Sequence, residues 1–212
     1  MSVPAPAYSL ADVTVRLGER DVLSHVTADF AAGCVHVVRG ASGAGKTTLL
    51  RLLMGLVEPA SGSVARPVGA RLAAAFQEDR LLDSLTVSAN VRLPHGGVRG
   101  PERARLLDET RRALAAVGMA GLESARAGEL SGGQRRRVSL LRAGLATSDV
   151  VFLDEPLRGL DERTARATMA WLLPRLEAKT AFWVTHSEAE AAALPAPVLW
   201  TVDGGRVRPD CM

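Results

Sequence analysis

Four short apolar runs punctuate the chain: Cys34 to Val38, Val150 to Leu153, Ala181 to Thr185 and Val198 to Val202. Uninterrupted runs of this length fit strands covered on both faces, so they predict a buried parallel sheet. The first three lead straight into polar, chemically loaded segments, the layout of an α/β sheet whose sites form where strands end and helices begin. Ahead of them, Leu10 to Leu17 places Val13, Val15 and Leu17 on one face and predicts a half-exposed strand of a smaller antiparallel sheet. Ser61 to Gln77 alternates little, so that second sheet is expected to be trimmed. Beyond Arg80 the period changes, with Leu106, Leu107, Ala113, Leu114 and Val117 at helical spacing between Pro101 and Gly118. The expectation is one domain over 1–212, with a helical segment of about 79–130 inserted into a core formed by 1–78 and 131–212.

Composition narrows the function classes. At 212 residues and 47% hydrophobic content the chain can build a substantial core, which excludes disorder. Two cysteines placed far apart, Cys34 and Cys211, do not form a disulfide scaffold and point to a reducing, cytoplasmic setting. The longest uncharged apolar stretch, Ala191 to Val202, is interrupted by Pro195 and Pro197 and is too short to span a bilayer. The first six residues lack the basic patch and apolar core of a secretory leader. A net charge of +3 spread along the chain, with few aromatics, argues against nucleic-acid binding. One detail is sharper: Lys46 and Lys179 are the only lysines among 26 basic residues. Keeping lysine where arginine is otherwise the rule implies that a compact ammonium is needed there.

Lys46 belongs to Gly40-Ala41-Ser42-Gly43-Ala44-Gly45-Lys46-Thr47, which fits the phosphate-loop pattern after one apolar run and before the apolar helix Thr48 to Leu56. Small residues let backbone N–H groups curl around phosphate, the helix start adds its positive end, Lys46 reaches the β and γ phosphates, and Thr47 can hold Mg²⁺. Val150 to Leu153 ends in Asp154-Glu155. By itself such a pair reads as a turn or a helix cap; behind a phosphate loop, Asp154 is placed to hold Mg²⁺ and Glu155 to orient or deprotonate a water. Leu130-Ser131-Gly132-Gly133-Gln134 is a third feature, in which Ser131 caps a helix and two glycines bare its N–H groups as a second anion site. The basic run that follows, Arg135-Arg136-Arg137, reads as a solvated helix face.

These motifs, in this order, resemble the nucleotide-binding subunit of ATP-binding cassette (ABC) transporters over nearly the whole chain. The resemblance implies a P-loop NTPase α/β core with a mainly parallel sheet, a small antiparallel subdomain and a helical insertion. It implies ATP as substrate and Mg²⁺ as cofactor. It assigns nucleotide contacts to residues 40–47 and Thr48, and metal contacts to Thr47, Asp154 and Gln77. It makes Glu155, His186 and Gln77 the hydrolytic set, and it places Asp161, after Leu160, at a subunit interface. Singly, Gln77 is also a plausible loop hydrogen-bonder and His186 a strand-end surface residue. Ser131, Gly132, Gly133 and Gln134 would act in trans, on nucleotide held by a second copy.

The partners so implied are that second copy, separate transmembrane permease subunits and, for an importer, a substrate-binding protein, with this chain cytoplasmic and peripheral on the inner face of the cell membrane. Gln77 to Leu82, with Thr86-Val87 and Asn90-Val91, resembles the importer subgroup for nitrate, sulfonates or taurine. The alternative is a soluble ABC ATPase acting on a ribosome, DNA or a cofactor-assembly complex. Departures from the family pattern lie in three places. Leu17 stands where an adenine-stacking aromatic is usual, so weaker adenine selectivity is expected unless Tyr8 substitutes. Arg158-Gly159 precedes Leu160-Asp161 where small residues are usual, and Ser187 follows His186 where Asp is common. Few residues follow His186, so regulation through an appended domain is not expected.

Overall fold

The computed structural model describes residues 6–210; Cys211 and the first five residues lie outside them. In chain order the elements are β1 (Pro6–Leu17), β2 (Arg20–Ala31), β3 (Val35–Arg39), α1 (Lys46–Leu53), β4 (Ser61–Ala65) and β5 (Leu72–Ala75). Then come α2 (Val87–Arg92), α3 (Gly100–Ala116), α4 (Gly132–Leu145), β6 (Val150–Asp154), α5 (Glu162–Leu172), β7 (Thr180–Val184), α6 (Glu188–Ala193), β8 (Val198–Asp203) and β9 (Arg206–Pro209). They build a six-stranded sheet in the order β5-β6-β7-β3-β8-β9, parallel except for β9, and a three-stranded antiparallel sheet β2-β1-β4.

The central strands read as unbroken apolar runs because every residue of β6 and β7 is buried. Their pleat then sorts side chains by alternation into two cores. Val151, Leu153, Ala181 and Trp183 face a cluster shared with α2 to α5, where Leu114, Val138, Leu141 and Leu172 pack. Val150, Phe152, Phe182 and Val184 face the other cluster, with α1 and the antiparallel sheet. There Phe152 and Phe182 stack with centroids 5.1 Å apart, and Tyr8 meets Phe182 edge-on at 5.4 Å. Each such ring, fully buried, contributes about 1.5–3 kcal/mol relative to exposure. This packing clamps the rear of the sheet and leaves the strand ends that follow β3, β5, β6 and β7 as one working edge.

One expectation from the sequence is sharpened and one needs correction. Ser61 to Gln77 gives the antiparallel sheet a single five-residue strand, β4, and the parallel sheet its edge strand, β5. Alternation was faint there because β4 is nearly all exposed small residues and β5 is mostly alanine. Nor is Arg135-Arg136-Arg137 a solvated face. Arg135 bonds Asp83 Oδ1 at 2.7 Å and the Ala127 carbonyl at 2.8 Å, while Arg137 donates to the Val117 carbonyl at 2.7 Å. Arg136 is 5% exposed and turned inward. Backbone carbonyls left over at strand and helix ends recruit these guanidinium groups, whose donors are numerous and fixed in a fork.

Candidate active site

The loop from Gly40 to Gly45 joins β3 to α1 through a passage that only glycine permits. Gly40 has φ +150°, and a Cβ there would stand 2.2 Å from the Val202 carbonyl of β8; Gly45, at φ +108°, would meet Leu23 and Val22 of β2 at 3.1 Å. Because Gly45 is also the N-cap, no side chain satisfies the first amides of α1. Those N–H groups are thereby left for an anion. Lys46, 8% exposed as a residue, donates through its ammonium to the carbonyls of Gly40 at 2.9 Å and Ala41 at 2.8 Å, so the cation is folded back over its own loop. Ala41, Ser42 and Gly43 are exposed, Ala44 is half-buried, and Thr48 is buried in the first turn of α1.

At the end of β6, Asp154 Oδ2 accepts a hydrogen bond of 2.8 Å from the Thr47 hydroxyl. Asp154 is 3% exposed. Burial pushes its pKa above the usual carboxylate range; Thr47 opposes the rise, neighbouring Glu155 adds to it, and Arg136 and Lys46 oppose it. Thr47, Asp154 and Gln77 line one small cleft of about 60 Å³ together with Arg51 and Phe76. Hydroxyl and carboxylate oxygens beside an uncapped helix start are the donor set a Mg²⁺-phosphate group takes, and Gly40 and Gly45 let the loop that carries those amides pack directly on β8 and β2. The residues present fit the group.

Glu155 is held differently. Its φ of +47° is a left-handed conformation that a non-glycine residue adopts only under constraint. That twist turns its backbone N–H onto the Val184 carbonyl at 3.0 Å. Its carboxylate stands between Arg158, at 2.8 Å, and the exposed His186 Nδ1, at 3.6 Å. His186 lies two residues past the end of β7, so adjacent parallel strands deliver the carboxylate and the imidazole to the same place.

A second corner forms at the start of α4. Ser131 Oγ accepts from the Gln134 N–H at 3.4 Å, and Gln134 Oε1 accepts from the Ser131 N–H at 2.9 Å. This reciprocal cap exposes Ser131 and Gly132. A Cβ on Gly133 would lie 3.5 Å from Leu160 Cδ2, so the corner packs on the turn before Asp161. Asp161 caps α5 through the Thr164 N–H at 2.9 Å, and that hydrogen bonding holds its carboxyl below the usual range. The two clefts against the phosphate loop, one lined by Thr47 and Gln77 and one by Arg20, Asp21 and Ala41 to Ala44, take no lining residue from 131–134. Tyr8, 1% exposed inside the core with its pKa pushed up to about 12 by burial, is unavailable to stack on a base. Leu17, 47% exposed, is the side chain left at that end of β1.

The ABC transporter family model matches residues 23–158 of this chain. The chain is 40% identical to the aliphatic sulfonates import ATP-binding protein SsuB 1 of Agrobacterium fabrum, covering 96% of this chain and 74% of that protein. It is equally 40% identical to SsuB 3 of Rhodococcus jostii, covering 94% and 72%. Among solved structures, the dimeric post-hydrolysis state of the ATP-binding cassette MJ0796 bound to ADP and Pi superposes with a TM-score of 0.82 at 25% identity, over 96% of this chain and 97% of that one. Motif order, fold and relatives agree: the chain belongs to the ABC transporter family, as one of its ATP-binding ATPases.

Proposed function

We propose that this ATPase powers an importer, binding Mg-ATP between two head-to-tail copies and passing the closure and reopening of that pair to separate membrane subunits. The observation that carries the reading is Glu155, held on constrained backbone with its carboxylate beside His186, one residue from the Asp154–Thr47 pair at the phosphate loop. In this reading the loop amides and Lys46 bind the β and γ phosphates, with Lys46 exchanging two carbonyl partners for phosphate oxygens. Thr47, Asp154 and Gln77 would hold Mg²⁺, which supplies charge neutralisation at the phosphates. Glu155 takes the proton of the attacking water, and His186, a short donor beside it, steadies the γ-phosphate. Ser131 to Gln134 and Asp161 serve the partner's nucleotide, which gives that exposed corner a use that the chain's own loop does not.

Kinship with the sulfonate import proteins supports an organosulfonate or similar small anion as the solute, delivered by a substrate-binding protein to a permease. Among the described residues no helix is long and apolar enough to cross a membrane, so passage through the bilayer falls to partner subunits. Steady-state hydrolysis tests the chemical core: Glu155→Gln keeps ATP affinity within about threefold and loses roughly 10²- to 10⁴-fold in kcat. A variant that hydrolyses at the parental rate contradicts the assignment. Pull-down from solubilised membranes tests the transport role; recovery of ribosomal or DNA-bound complexes without a permease contradicts it.

A further inference from the structure

Arg136 lies on α4, five residues beyond Ser131, and makes an unusual set of contacts. Its Nε donates to the Pro156 carbonyl at 3.0 Å, and Nη2 to the carbonyls of Asp154, at 2.6 Å, and Glu155. Its Nη1 turns the other way, to the carbonyls of Phe76 and Gln77 and to Asp79 Oδ1 at 3.3 Å. One guanidinium, almost wholly buried, therefore binds the tip of β6 and the segment after β5 at once. Asp154 ends β6, and Glu155, Pro156, Phe76 and Gln77 lie just beyond strand ends, where carbonyls need partners outside the sheet, and a fork of fixed N–H donors is the side chain able to serve two such groups together. Asp79 is less than one-fifth exposed and gives the buried cation its counter-charge.

We infer that Arg136 is a positioning residue that ties the Gln77 segment and the Asp154-Glu155-Pro156 segment to α4 as one body, so that the Ser131 corner and the hydrolytic carboxylate of a single chain move together. A load on the α4 N-terminus then reaches Glu155 and Gln77 through one rigid fork rather than through separate loops. Arg142, one further turn and a half along α4, donates to the carbonyls of Arg80 at 2.9 Å and Asp79 at 3.0 Å and extends the same attachment.

The inference rests on the proposed roles of Gln77 and Glu155, so the experiment separates the two. Arg136→Lys retains charge and stem, but one ammonium cannot span both segments. In the full-length protein this variant is expected to bind ATP within threefold of the parent, with KM similarly unchanged, while kcat falls at least tenfold. Amide hydrogen exchange in the nucleotide-free protein is expected to speed up at least tenfold in residues 77–80 and 155–158 together. Unchanged kcat, or faster exchange in only one segment or in neither, overturns the inference. A purely structural role would raise KM and lower the melting temperature in step, which also overturns it. Where the lysine variant does not fold, Arg136→Gln, whose amide reaches one segment, is held to the same two readouts. Glu155→Gln runs alongside: if it retains full activity, the proposed role of Glu155 fails, whereas exchange at the two segments still judges Arg136.

Discussion

Asp154 illustrates how function and stability part at the scale of one residue. Burial raises its pKa, meaning that the folded protein disfavours the charged form that its proposed Mg²⁺ contact requires. Asp154→Asn keeps an acceptor for Thr47 and removes that conflict. The nucleotide-free variant is expected to be more stable by roughly 0.5–2 kcal/mol, about 2–4 °C per kcal/mol at this size. An acid with a raised folded pKa stabilises most when protonated and loses that contribution as pH climbs through the raised value. The asparagine advantage should thus vanish below the ordinary carboxylate range and grow as pH climbs through the raised value, while Mg²⁺-dependent protection by ATP is lost; melting curves across pH, with and without Mg-ATP, read both. Leu17 carries a second residue-scale prediction. Stacking on an aromatic is worth on the order of 1–3 kcal/mol, so GTP should compete with ATP within about tenfold, and Leu17→Tyr should tighten ATP several-fold; a strong ATP preference in the parent refutes this. Lys46 and Asp154 were legible in the sequence because their chemistry is written into contiguous motifs. Arg136 was not, since its role depends on where β5 and β6 end and nothing in the string of arginines distinguishes it.

Among elements, α4 and α5 lie so close that Gly144 has ring atoms of Trp171 where a side chain would stand, 2.7 Å from an added Cβ, with Leu172 at 3.2 Å. In an exposed helix Gly→Ala gains about 1 kcal/mol. Here Gly144→Ala should reverse the sign and destabilise by about 1–3 kcal/mol through overpacking, measured by chemical denaturation; a stabilised variant would mean that α4 and α5 are free to separate. The buried parallel strands were readable because both faces are covered and their apolar runs are unbroken. Strand β2 escaped because its inward residues, Leu23, Val26, Ala28 and Phe30, break step around His25, a positive-φ residue, as the register against β1 shifts. Helix α3 showed through its Pro101 and Gly118 boundaries, whereas six-residue α2, fixed by the Thr86 cap and the buried Asn90 bonded to Leu82 and Thr86, is too short to show a period.

At the scale of the whole molecule, the proposed reading makes one chain two incomplete half-sites: a phosphate loop with its carboxylates, and a capped serine-glycine corner that lines neither cleft beside that loop. The corner was legible as a helix start suited to an anion, but whose anion it meets depends on a second copy, which no single sequence encodes locally. Trapping the nucleotide should make the assembly visible. Mass measurement in solution on Glu155→Gln, with saturating ATP and Mg²⁺, is predicted to give twice the 22.4 kDa of one chain, returning to one chain when Ser131 is also replaced by arginine or when ATP is replaced by ADP. A Glu155→Gln protein that binds ATP fully yet stays at the mass of a single chain contradicts the account.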